Sequence, residues 1–71
     1  MKELTIQEIA RALRTGRVLV SKDEKGSDMI RFQGLDNRFY RVTDEGIREK
    51  TDADDVLRIL SLPYLRWFYS E

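Results

Sequence analysis

Neither cysteine nor histidine occurs in this 71-residue chain, and proline occurs once. Without cysteine there is no disulfide, no thiolate metal ligand and no thiol nucleophile. Without histidine there is no imidazole ligand, no imidazole general base and no Ser-His-Asp triad. Carboxylate, lysine or tyrosine chemistry is what remains, and a domain this small rarely encloses a pocket able to shift those pKa values usefully. The expectation is a protein that is not an enzyme and that carries no cofactor and no metal. Long apolar runs are missing as well. No stretch exceeds four apolar residues, far short of a membrane span, and none follows a basic start as a signal peptide requires. A cytoplasmic protein without membrane contact is expected. An excess of one charge sign is the last absence: 13 basic residues balance 13 acidic ones, so no broad field attracts a polyanion.

What is present is a globular balance of 41% hydrophobic and 37% charged residues. Residues 1–71 read as one domain, with no linker, repeat or low-complexity segment. A chain this short hides only about 60% of its unfolded surface, so its core is small.

The first element is a helix. Thr5 and Glu8 form a capping-box pair, and Leu4 and Ile9 stand where a hydrophobic staple would sit. Ile6, Ile9, Ala10 and Leu13 recur at helical spacing as a buried stripe, and Gly16 is placed to end the helix in a left-handed conformation. The period then changes to 2. Strands are expected at Arg17–Ser21, Met29–Gln33, Arg38–Val42 and, briefly, Ile47–Lys50, with turns at Lys22–Gly26, Gly34–Asn37 and Thr43–Gly46. A second helix spans about Asp52 to Leu60, capped by Thr51 or Asp52. Ala53, Val56, Leu57 and Leu60 form its buried stripe, widened by Ile59, before Pro63 stops it. Tyr64–Tyr69 is a final strand. The order predicts an α+β fold: a small antiparallel sheet of four to five strands with two helices packed on one face.

Three constellations suggest function. In Tyr64–Tyr69, Leu65, Trp67 and Tyr69 share one parity and Tyr64, Arg66 and Phe68 the other, so both sheet faces receive large apolar groups. Either this is a central strand whose far-side rings lie under loops, or a second subunit or partner buries the uncovered face. Nine of the 13 basic residues are arginine, several beside strand aromatics: Arg31, Arg38, Arg41, Arg48 and Arg66. With Tyr40 and Phe68 such residues can stack bases or clamp phosphates, although surface pairing and stem packing account for most strand arginines. Asp44 to Asp55 is acidic; Asp52, Asp54 and Asp55 lack the glycine and distal glutamate of a calcium loop and suit a helix's first turn. The four glycines each stand at an expected element boundary, where turn geometry suffices.

The opening run from Thr5 to Val18, TIQEIARALRTGRV, resembles the start of many small phage and prophage domains, in which a helix ending in glycine leads into a strand. Those domains often close with a short helix and a tryptophan-bearing strand, as Ala53 to Tyr69 does. One such group is the sponges that phages deploy against Thoeris defence. The tryptophan usual after that group's first strand is replaced here by Ser21-Lys22-Asp23, and no binding residue carries over. The resemblance implies a phage-type, non-enzymatic role.

The expected function is therefore binding, mainly to protein and through self-association, by a small accessory or inhibitor protein. The expected interface comprises Tyr64, Arg66, Phe68, Arg31, Arg38, Tyr40 and Arg41. A nucleic-acid module and a sequestering protein for a nucleotide-like ligand are the alternatives.

Overall fold

A computed structural model describes residues 2–70. The elements run α1 (Ile6–Thr15), β1 (Val18–Lys22), β2 (Asp28–Leu35), β3 (Arg38–Val42), β4 (Arg48–Thr51), α2 (Ala53–Leu60) and β5 (Arg66–Tyr69). The five strands form one antiparallel sheet in the order β4-β3-β2-β1-β5, giving the expected α+β architecture.

Local chemistry sets the element ends. Thr5 caps α1 in a full capping box: its hydroxyl accepts from the Glu8 amide while the Glu8 carboxylate accepts from the Thr5 amide. Gly16 ends the helix at φ 78° and its amide donates back to the Ala12 carbonyl. Asp52, rather than Thr51, caps α2 by accepting from the Asp55 amide. Asp36 and Asn37 take φ values of 52° and 63°, the paired left-handed conformation of a two-residue type I′ hairpin.

One apolar cluster joins both helices to one sheet face. Ile9 and Ala12 of α1, Val56 and Ile59 of α2, and Leu19, Phe32 and Trp67 of the sheet are buried together, closed by Leu4 and Leu65. The Trp67 ring stacks on Phe32 with centroids 5.7 Å apart and planes at 15°. Ser21 is buried where the β1–β2 register shifts. Its hydroxyl accepts from the Ile30 amide and donates to the Ile30 carbonyl, both at 2.9 Å, so the side chain pairs both Ile30 backbone groups where the ladder is irregular.

The structure corrects the sequence at several points. Ile6 is 84% exposed and Leu57 61%, and Ala10 and Ala53 also face water. Each helix therefore buries a narrower stripe than its apolar residues allow. Helical spacing ranks positions around the axis, but the contact with a flat sheet spans only part of that arc. Tyr64 and Leu65 precede the last strand, which begins at Arg66, and β5 is an edge strand rather than a central one. The Leu4 amide donates to the Trp67 carbonyl at 2.8 Å, so the segment before α1 covers part of that edge.

Gly34 is the remaining correction. It lies inside β2, not in a turn, and space is what requires it. A Cβ at this position would stand 2.1 Å from the Leu13 carbonyl oxygen, so only glycine lets the last turn of α1 rest directly on the strand. Gly34→Ala should destabilise the fold by about 1–3 kcal/mol, as overpacking of a rigid contact does. Urea melts check this, and a change within about 0.5 kcal/mol of wild type, the span of neutral surface changes, would show that the helix does not sit that close.

Candidate functional site

Strand pairing assigns each side chain to a face. Leu19, Ile30, Phe32, Gly34, Phe39, Arg41, Glu49, Thr51, Trp67 and Tyr69 share the face that the helices cover. The opposite face carries no helix. Across it run Phe68, Val20, Arg31, Val42 and Arg48 in one row, and Val18, Gln33, Tyr40 and Lys50 in the next. Lys22 faces Arg66 at one corner, and Leu35 faces Arg38 at the opposite end.

The parity sorts charge as well as hydrophobicity. Lys22, Arg31, Arg38, Arg48, Lys50 and Arg66 all take open-face positions, whereas Asp28 is the one strand acid there. A chain of zero net charge therefore presents a basic sheet face. Its centre is apolar: Val18, Val42, Phe68 and Tyr40 are half-buried around Val20, which is only 4% exposed although no helix covers it.

Several of these cations are held in place. Arg31 donates to Asp44 at 2.6 Å and to Asp28 at 2.9 Å. Lys22 also donates to Asp28, and this hydrogen bond, with the charge of Lys22 and Arg31 beside it, keeps the Asp28 carboxyl below its usual pKa. Arg48 donates from Nε to the Gln33 side-chain oxygen at 2.7 Å, and the Gln33 amide donates in turn to the Gly16 carbonyl at 2.7 Å. That chain satisfies buried Gln33 and leaves the Arg48 charge without a carboxylate partner among the described residues. Arg66 reaches Glu3 only at 3.9 Å, with both side chains well exposed.

Of the seven residues expected to form the interface, the structure brings Arg31, Arg38, Tyr40, Arg66 and Phe68 onto this face. Tyr64 stands apart in the turn before β5, 53% exposed, beside Asp23, Glu24 and Lys25. Arg41 lies on the helix-covered face. Its guanidinium binds Asp55 of α2 through two hydrogen bonds of 2.9 and 2.8 Å and lies 5.8 Å from the Phe32 ring centre. Lys22 and Lys50 escaped the sequence reading because arginine–aromatic neighbours were sought along the chain. Counting alternate positions in each strand would have found them.

Asp55 also accepts from Thr51 and Arg58, both at 2.7 Å, and so ties α2 to β3 and β4. The Arg41 guanidinium, the Thr51 hydroxyl and then Arg58 hold its carboxyl well below the usual carboxylate range, against the opposing effect of burial. No cluster of metal-ligating side chains occurs among the described residues, and no described helix is long and apolar enough to cross a membrane. No protein-family model, curated protein or solved structure matches the chain.

The lowered pKa of Asp55 fixes the sign of an acid effect. The ionised carboxylate is favoured in the folded state, so its contribution is complete above the unfolded-chain value of about 3.9. That contribution falls away as pH drops below it toward the folded value. Asp55→Asn should lose stability at neutral pH and show a flatter decline below about pH 4 than wild type. Parallel acid slopes in urea melts of the two proteins would remove Asp55 from this role.

Proposed function

We propose that this chain is a non-enzymatic binding protein that docks an acidic partner protein on its open sheet face, as a small cytoplasmic accessory or inhibitor of phage type. One observation carries the reading: strand parity gathers the sheet's cations, all but Arg41, around an apolar centre on the one face that no helix occupies. An apolar middle with a polar rim is the anatomy of a protein interface. Charge also bears on the kind of partner. Two copies meeting face to face by a two-fold axis would set the same lysines and arginines against one another, an arrangement that costs binding energy. A partner with carboxylates around an apolar patch meets no such penalty.

Tyr40 and Phe68 beside the guanidinium groups of Arg38, Arg48 and Arg66 support a second reading, single-stranded nucleic acid held by stacking and phosphate contacts. The two readings separate with two labelled probes at low salt, a glutamate-rich peptide containing aromatic residues and a thymidine oligonucleotide. The first reading expects the peptide to shift the amide resonances of Val18, Val20, Tyr40 and Phe68. Lys50→Glu combined with Arg66→Glu should weaken it about tenfold, or about 1.4 kcal/mol, with native dichroism. Tighter binding of the oligonucleotide, reversed by the same pair and steeply lost with salt, selects the second reading. Resonance shifts confined to the helices, or binding indifferent to the charge reversal, would overturn both.

A further inference from the structure

A second feature lies beside α1 at the β2–β3 hairpin end of the sheet. Where the end of α1 rests on β2 at Gly34, a cleft of about 520 Å³ lies between α1 and the β2–β3 hairpin. Leu13 and Phe39, both packed against the core, and the exposed Ala10 line its apolar part. Arg14 of α1 and Arg38 of β3 line it as well, with Asp36 at the hairpin tip.

The two arginines stand out against the rest. Arg31, Arg41, Arg58 and Arg66 all have carboxylate partners. Arg48 donates to Gln33, and Arg17 lies over the Tyr69 ring at 3.5 Å. The side chains of Arg14 and Arg38 enter no ion pair, no hydrogen bond and no cation–π contact among the described residues, and Arg11, whose side chain is likewise uncommitted, does not line the cleft. The helix dipole accounts for a cation in the last turn, at Arg14, but not for Arg38 across the gap.

We infer that this cleft is a binding site for a small organic acid: an apolar, ring-sized body carrying a carboxylate or similar oxyanion. The body would cover Leu13 and Phe39, and the oxyanion would take hydrogen bonds from the two uncommitted guanidinium groups, whose planar forks match it. Asp36 restricts the choice to ligands whose negative charge is confined to one end. A polyanion, which would carry charge along its length past that carboxylate, is excluded. Arg38 stands at the end of β3, where the cleft and the open face meet, and is the one residue the two sites share.

Anilinonaphthalene sulfonate, an aromatic body with one oxyanion, is the probe, and uncharged phenylnaphthylamine is its control. The expected result is fluorescence enhancement with amide resonance shifts centred on Leu13, Asn37 and Phe39. Arg14→Ala with Arg38→Ala should weaken the sulfonate about tenfold and leave the uncharged control unchanged, while dichroism remains native. Ala10→Glu, on an exposed helical position, should abolish binding through bulk and charge. The proposal is overturned if the control binds wild type as well as the sulfonate does. It is equally overturned if the double variant binds unchanged, or if the shifts centre on exposed Ile6, Leu57 or the open face. The control comparison needs no variant, so it decides the matter even if a substitution perturbs folding.

Discussion

The strand register is the constraint on which the rest depends. Leu19 and Phe32 are fully buried opposite one another, and Trp67 stacks on Phe32 from two strands away. Sliding β1 by a single residue would turn Leu19 and Ser21 outward and bring Val18, Val20 and Lys22 beneath the helices. Lysine is among the costliest side chains to bury unpaired, so the slipped state loses on two counts. The same register that fills the core also decides which side chains stand on the open face. Packing and surface chemistry are thus one choice.

This is why a chain without net charge can still be electrostatically polarised. A sum over residues is blind to direction, whereas alternation along a strand sends neighbours in sequence to opposite faces. Arg48 and Lys50 face away from the helices and Glu49 faces toward them, so β4 alone contributes cations to one face and an acid to the other. Separation on this scale matters because exposed charges act over about 8 Å at physiological salt, less than the thickness of a sheet with helices behind it. A docking molecule would meet the local face and little of the total.

Most of the fold was legible because its signals are local. The capping box at Thr5, the glycine after α1, the alternation of β2 and the stop before Pro63 act within a few residues of where they appear. What was not legible depends on contacts between distant segments. Ile6 and Leu57 look like core by spacing, yet nothing in α1 or α2 states how wide the contact with the sheet will be. Gly34 looks like a turn residue because glycine marks turns more often than it marks close packing, and only the position of Leu13 discloses the difference. The candidate site divides along the same line. Phe68 and Arg66 were identifiable from one strand's pattern, whereas placing Arg41 with α2 required knowing that Asp55 returns to meet it.

The two polar attachments of the helices differ in kind, and the difference bears on where the molecule can yield. Asp55 joins α2 to β3 and β4 through charge-assisted hydrogen bonds from Arg41 and Thr51, contacts that strengthen at neutral pH and weaken in acid. The end of α1 is joined by backbone proximity at Gly34 and by Gln33, whose amide reaches around to the Gly16 carbonyl. Gln33 also accepts from Arg48 on the open face, so one side chain links the end of α1 to a cation of the proposed docking surface. A partner carboxylate that drew Arg48 toward itself would remove a hydrogen bond from a buried amide, which opposes its own binding. Affinity at this face therefore rests more on Lys50, Arg38 and Arg66, whose charges can be engaged without unmaking the structure beneath them.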